Sequence, residues 1–398
     1  MKTINTDVVV VGAGPAGVIL AYLLAKKGIE VTLVEAQKDF DREFRGDTLH
    51  PTTLETMESL GLIDELKKLP HTLLKEPILH LPQGIVRPGS LDCVRSKYQY
   101  IMLMPQQDFL NFMVTKAKVF PSFQILMNTK AQKLIKNKET VLGVECSAKN
   151  EEVMIHADVV IGADGRFSTL RKLLEKEVEK SDVPVDILWF KLPKEKHEQT
   201  TGIGAFIENG KFLVELERHD HWQMGLMLEK GTFAEFKKKG IENLHAEVSS
   251  MDPTLTSKLK TLTDWDQVGF LPIECGQVKK WYEDGVLLIG DAAHVMSPVG
   301  GVGINYAIQD AVETANVITK PLLEKRLKTS DLARVQSKRK WPTRVILWFQ
   351  NFAHQRIIKT IVDKNQPPSV PFFMKWQWVR NIVIRFIAIG LWRVKVED

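Results

Sequence analysis

Residues 7–11 are an aspartate followed by a run of four valines that leads into a glycine. β-Branched residues without polar alternation suit a parallel strand covered on both faces. Residues 16–27 follow, with Val18, Ile19, Tyr22, Leu23 and Ala25 clustered on one side, and predict a helix stopped by Gly28. Residues 30–35 predict a second buried strand, so the chain opens on a βαβ unit with its crossover helix. Further on, 51–66 and 107–119 predict helices. Residues 73–100 read as strand broken by Pro and Gly, and 124–160 as several short strands ending in an apolar run at 159–161. Residues 182–270 read as β-rich, with an Asn209-Gly210 hairpin signal. A buried strand at 285–289, helices from Ile304, and a basic, aromatic tail from about residue 331 complete the pattern.

Glycine-rich turns stand near residues 12, 164 and 291, with unlike sequence between them. A unit inserted into a nucleotide-binding domain explains that spacing. The expected fold is α/β (α+β overall): a Rossmann-like dinucleotide-binding domain with an inserted mixed β-sheet substrate domain and a helical C-terminus. The expected boundaries are 1–72, 105–181 and 271–330 for the nucleotide domain and 182–270 for the substrate domain. Residues 73–104 would be an excursion into the latter, and 331–398 a C-terminal helical segment.

Composition changes this picture little. The 398 residues are 44% hydrophobic and 26% charged, as in ordinary soluble proteins. A net charge of +5 spread over this length points to no nucleic acid and no strongly anionic partner. Cys93, Cys146 and Cys275 are far apart and form no CxxC pair, which argues against a disulfide framework or metal site and for the reducing cytoplasm. The N-terminal residues lack a secretory pattern, and no apolar stretch is long enough to span a bilayer.

The first turn, Gly12-Ala13-Gly14-Pro15-Ala16-Gly17, is GxGxxG directly after a strand. Its glycines permit a tight turn, close approach of a pyrophosphate to backbone, and close packing of helix on sheet. Amides at the helix N-terminus bind phosphate. Glu35, at the end of the next strand, can accept hydrogen bonds from both ribose hydroxyls of an adenosine and would repel a 2′-phosphate. The pocket therefore suits the adenosine half of FAD or NAD. Two further motifs separate these. Ile161-Gly162-Ala163-Asp164-Gly165-Arg166-Phe167-Ser168-Thr169-Leu170-Arg171 follows one buried strand. Gly290-Asp291-Ala292-Ala293-His294 follows another, leading to Pro298 and Gly300-Gly301-Val302-Gly303-Ile304-Asn305. A simple NAD dehydrogenase needs neither; FAD does, because its ribityl chain and ring extend far beyond the first loop.

With these three fingerprints in order, the chain resembles the group A flavoprotein monooxygenases, the p-hydroxybenzoate hydroxylase-like family, over residues 1–325. The segment Arg45-Gly46-Asp47-Thr48-Leu49-His50-Pro51 resembles the family as well. The resemblance implies roles. Asp291 would accept from a ribityl hydroxyl. Asp164 would orient backbone near the pyrophosphate, where the family also docks NAD(P)H. Gly301, Val302 and Gly303 would set amides at the flavin pyrimidine edge, Asn305 would hold that loop, and Arg45 would lie along the flavin. Many members carry arginine near the start of the 107 helix; this chain has Gln106 and Gln107, and Gln107 could hydrogen-bond the cofactor without charge. The implied reaction takes hydride from NADH or NADPH, forms a flavin C4a-hydroperoxide with O2, and hydroxylates an aromatic or conjugated small molecule. No catalytic base can be named. A reductase or dehydrogenase on the same fold and a redox-inert flavin-binding protein are the alternatives.

Trp189, Phe190, Phe206, Trp222 and Met224 are candidate walls of the substrate pocket, though alternating aromatics also suit a core. In the tail, Phe372, Phe373, Trp376, Trp378 and Trp392 accompany Arg380, Arg385 and Arg393. Packing on the flavin domain or on a second subunit is the favoured reading of 372–398; peripheral membrane contact and a partner groove stay open. Either a monomer or a homodimer is compatible with it.

Overall fold

The computed structural model describes residues 2–41, 48–148, 151–195, 198, 203–208, 210–355 and 376–397. Five parallel strands form its centre, in the order Val286–Leu288, Glu151–Gly162, Lys2–Val11, Val31–Val34 and Phe123–Leu126. The pairing brings distant residues level: Val11 faces Gly162, and Gly162 faces Leu288. Val8, Val9 and Val10 are fully buried, as expected of a strand covered on both faces. The hairpin Thr129–Asn137/Thr140–Ala148 extends the sheet antiparallel from Glu151–Gly162. The helices Pro15–Lys26 and Gly303–Leu323 pack on one another in the same core.

A second sheet has seven strands: Gly269–Leu271, Val185–Pro193, His221–Glu229, Lys211–Glu217, Ile203–Glu208, Ile78–Leu81 and Gly84–Val86. All pairs are antiparallel except Ile203–Glu208 with Ile78–Leu81. Residues 78–86, which precede most of the second sheet in the chain by over a hundred positions, thus complete its edge. The turn after Ile203–Glu208 includes Gly210 at φ +77°, while Asn209 lies outside the described residues.

Three expectations are corrected. The β-rich reading of 182–270 misses three helices, Phe233–Lys238, Ile241–Met251 and Thr256–Leu259. Leu244, Val248 and Met251 recur at helical spacing and cover one face of the second sheet. The helix predicted over 51–66 is two, Pro51–Ser59 and Ile63–Leu66, because Gly61 between them sits at φ +73°. The last glycine loop ends one residue early, the helix starting at Gly303 rather than Ile304.

Among the described residues, the C-terminal helices Thr329–Ala353 and Gln377–Ile389 close the fold. Ile384, Ala388 and Ile389 pack with Leu74, Leu91 and Val94, and the Arg385 guanidinium donates to the Cys93 carbonyl at 2.7 Å. The inward face of the tail is therefore packed, as favoured. Phe372 and Phe373 lie outside the described residues.

Candidate functional site

All three glycine motifs emerge at the carboxyl ends of adjacent parallel strands. Backbone bonds lock them side by side: Gly12 N donates to Val34 O (2.7 Å), Ala163 N to Val11 O (2.8 Å) and Ile289 N to Gly162 O (2.9 Å). In open α/β sheets this edge is where ligands bind.

The first turn is tight enough to require its glycines. Gly12 has φ +101°, and a Cβ there would lie 2.5 Å from the Ala163 carbonyl oxygen. A Cβ on Gly17 would lie 1.9 Å from the Gly12 oxygen. Gly14 is the N-cap, Pro15 and Ala16 open the helix, and no side chain caps its free amides. Glu35 is buried; its carboxylate accepts from Ala13 N (2.9 Å) and Gln37 N (3.0 Å), which fixes it beside this loop. A carboxylate retains further lone pairs when it accepts two amides.

The Asp164 carboxylate accepts from the Ser168 hydroxyl and from Leu170 N (3.0 Å), ordering the turn into helix Thr169–Leu173. Burial pushes its carboxyl upward against these bonds. Arg171 then joins the second motif to the third, donating to the carbonyls of Asp291 (3.2 Å), Ala292 (3.0 Å) and Arg166. Asp291 is half-buried, and among the described residues its carboxylate makes no hydrogen bond.

Gly300 and Gly301 have φ +80° and +63°, and the helix Gly303–Leu323 begins, after Val302, without a side-chain cap. Asn305 clamps this loop. Its carbonyl accepts from His50 N (2.8 Å) and the Thr53 hydroxyl (2.7 Å), and its amide donates to Thr48 O (3.0 Å) and Gly301 O (3.1 Å). Its side chain ties the loop to residues 48–53. Gln350 holds the segment around Pro298 by bonding Ser297 N, Ser297 O and Val299 O. Gln107 is exposed on the first turn of Gln106–Ala117, whereas Gln106 is half-buried and has a partner. Arg45 lies outside the described residues.

Sequence reasoning missed the support beneath the third motif. His294, Asp310 and Arg339 are at most 1% exposed. Asp310 meets His294 Nε2 at 2.5 Å and accepts from Arg339 Nε (2.7 Å) and Gly290 N (3.0 Å). Burial alone would raise the Asp310 carboxyl, but His294 and Arg339 outweigh it and hold the group below its usual range. The available signal was an aspartate on the apolar face of a helix; its arginine, 29 positions on, could not be inferred.

The wall residues divide by strand alternation. Trp189 packs with Met296, Val302 and Tyr306 on the side of the glycine loops, and its indole Nε1 is buried without a partner among the described residues. Phe190, Trp222 and Met224 point to the opposite face, into the cluster of Leu244 and Val248, and Phe206 packs against that cluster. As walls of a site on the loop side, these four are excluded.

His50 is buried, with Nδ1 3.1 Å from Ile387 O; burial lowers its pKa from 6.5 to about 4. Its folded pKa lies below the unfolded one, so the unfolded chain takes up the proton first. Stability from neutral His50 is present above pH 6.5 and is lost as pH falls toward 4. Glu215, raised to about 7 chiefly by burial, acts in the opposite direction within that window, so the comparison is with a His50→Gln variant. Thermal midpoints of the two proteins should converge as pH drops from 6.5 to 4. A constant difference across that range would remove His50 as a contributor.

The sequence profile of an FAD binding domain family matches residues 5–340. The chain is 33% identical to 6-methylpretetramide 4-monooxygenase of Streptomyces rimosus, across 99% of this chain and 94% of that protein. It is 25% identical to digeranylgeranylglycerophospholipid reductase of Methanocaldococcus jannaschii, across 81% and 79%. The structure of Pseudomonas aeruginosa PqsL with 2-aminobenzoylacetate superimposes with a TM-score of 0.76 at 21% identity, covering 91% of this chain and 98% of that one.

Proposed function

The chain belongs to the FAD-binding domain family of FAD-dependent monooxygenases, and from that premise we propose that it uses NADH or NADPH and O2 to hydroxylate an aromatic or conjugated small molecule in the cytoplasm. The observation that carries this reading is the convergence of three glycine loops at one sheet edge, beside the apolar cluster that joins Trp189 to Met296 and Val302.

The residues suit FAD. Gly12 and Gly17 leave no room for a side chain between the first loop and its neighbours, so a pyrophosphate could approach bare backbone at Gly14, Pro15 and Ala16. Glu35 would take the ribose hydroxyls, and Asp291, whose carboxylate makes no hydrogen bond among the described residues, a ribityl hydroxyl. The amides at Gly301, Val302 and Gly303 form a second uncapped helix start, suited to negative charge on the reduced ring. Pro298 and Asn305 would shape that loop, Asp164 the pyrophosphate side. Gln107, on the first turn of Gln106–Ala117, and Arg45, which lies outside the described residues, remain candidates. The bound flavin supplies hydride acceptance from the nicotinamide and activation of O2 for transfer of one oxygen atom. The chain orients the substrate and excludes water: the apolar cluster around Trp189 keeps the reacting face dry, and its indole N–H can donate to a substrate oxygen. NADH or NADPH would dock transiently beside Asp164, because the sequence has no second dinucleotide fingerprint.

The reductase relative favours one second reading, reduction without oxygen transfer. The test is a screen of NADH and NADPH oxidation under labelled O2, with 6-methylpretetramide and simpler phenols as substrates. A product heavier by one labelled oxygen is expected, and denaturation should release FAD. A product that gains only hydrogen would establish the reductase reading. Release of FMN, or of no flavin, would overturn both.

A further inference from the structure

We propose that the outer face of the two C-terminal helices is a docking surface for an anionic phospholipid bilayer. Along Thr329–Ala353, Trp341, Trp348 and Phe352 stand at i, i+7 and i+11, one stripe of a helix, and are 54%, 67% and 36% exposed. Along Gln377–Ile389, Trp378 and Ile382 stand at i and i+4 and are 62% and 54% exposed. The helices meet in a groove lined by Val345, Trp348, Phe349, Ile382, Val383 and Phe386, so the two stripes join. Trp392, itself 60% exposed, lies edge-on to Trp341 with ring centroids 5.6 Å apart. The fold does not need this face: Leu332, Val335, Ile346 and Leu347 are buried on the inner side. A surface this large and apolar marks an interaction site.

Charge selects the occupant. Residues 332–398 contain thirteen Lys and Arg against three Asp and Glu. Arg339 is buried on Asp310, Lys338 and Arg393 pair with Glu313 and Glu55, and Arg385 turns inward to the Cys93 carbonyl, so the stripe itself takes its charge from exposed Arg334, seven positions before Trp341, and from Arg344. Arg344 is exposed between Trp341 and Trp348. A second copy would bring the same basic segment against itself and be repelled. An anionic lipid surface attracts it, with tryptophans at the headgroup level and arginine stems lying along the apolar face. Among the described residues no helix is long and apolar enough to cross a membrane, so the protein would lie on the bilayer.

The experiment uses the full-length, FAD-loaded protein and vesicles of phosphatidylcholine with or without phosphatidylglycerol. Co-sedimentation is expected only with the anionic vesicles, weakening as salt is raised. Trp348→Ser combined with Trp378→Ser should lower partitioning about tenfold or more, since two large apolar groups are lost from the membrane contact. Melting temperature and flavin content should not change, because both side chains are more than half exposed. Val119→Ser, at an apolar site 70% exposed elsewhere, should partition as the parent does. Absence of binding to anionic vesicles, or equal binding by the double variant, would overturn the proposal. So would a concentration-dependent dimer abolished by the double variant without vesicle binding, which would assign the face to a second copy.

Discussion

Asp310→Ala is expected to destabilise the protein by about 3–5 kcal/mol, the cost typical of removing one member of a buried ion pair. The carboxylate is fully buried and serves three donors: His294, Arg339 and the Gly290 amide. Without it, Arg339 is left as a buried cation, and both its Nη atoms already lack partners among the described residues. The Gly290 N–H is also orphaned. Because Gly290 precedes Asp291 at the end of strand Val286–Leu288, local unfolding should reach the candidate cofactor loop and lower FAD retention. Denaturant melts of parent and variant measure the first effect, and flavin content after gel filtration the second. Asp310→Asn, which keeps an acceptor for Gly290 but removes the charge, should retain more flavin than Asp310→Ala. A loss of less than 1 kcal/mol in Asp310→Ala would show that the cluster does not support the loop.

Asp291→Ala should weaken FAD binding roughly 10- to 150-fold, corresponding to about 1.5–3 kcal/mol for a charge-assisted hydrogen bond. The fold should survive, since the half-buried carboxylate bonds to nothing among the described residues and its backbone carbonyl, held by Arg171, is untouched. This separates it from Asp310: one aspartate is expected to act on stability, the other on affinity at unchanged stability. Titration of the apoprotein with FAD, followed by quenching of flavin fluorescence, measures the affinity. An unchanged dissociation constant would remove Asp291 from the ribityl role.

Local features are legible wherever a short-range rule suffices. The valine run, the glycines before Pro15 and the acid at Glu35 each obey constraints that act within a few residues, and the structure has the strand, tight turn, helix and carboxylate in that order. The Asp164-to-Arg171 segment is legible as a turn into a helix, but the reach of Arg171 to the Asp291 and Ala292 carbonyls is not. That bond depends on two strands lying adjacent in the sheet.

The substrate side shows the opposite balance. A strand directs alternate residues to opposite faces, so composition alone cannot say whether Trp189 or Phe190 looks toward the glycine loops. The helices 241–251 and 256–259 decide it by covering the face that holds Phe190, Trp222 and Met224. By itself, then, the sequence determined the βαβ opening, the order of the three glycine motifs and the FAD family to which they belong, because turn sterics and phosphate recognition are written in contiguous residues. Only the tertiary structure decided which aromatic faces the site, that Asn305 ties its own loop to residues 48–53, that Asp310 draws His294 and Arg339 into one buried cluster, and that the tail packs on one face and leaves tryptophans bare on the other. Each of those depends on groups brought together across tens or hundreds of residues, and burial, unlike spacing, is a property that a side chain acquires only from its neighbours.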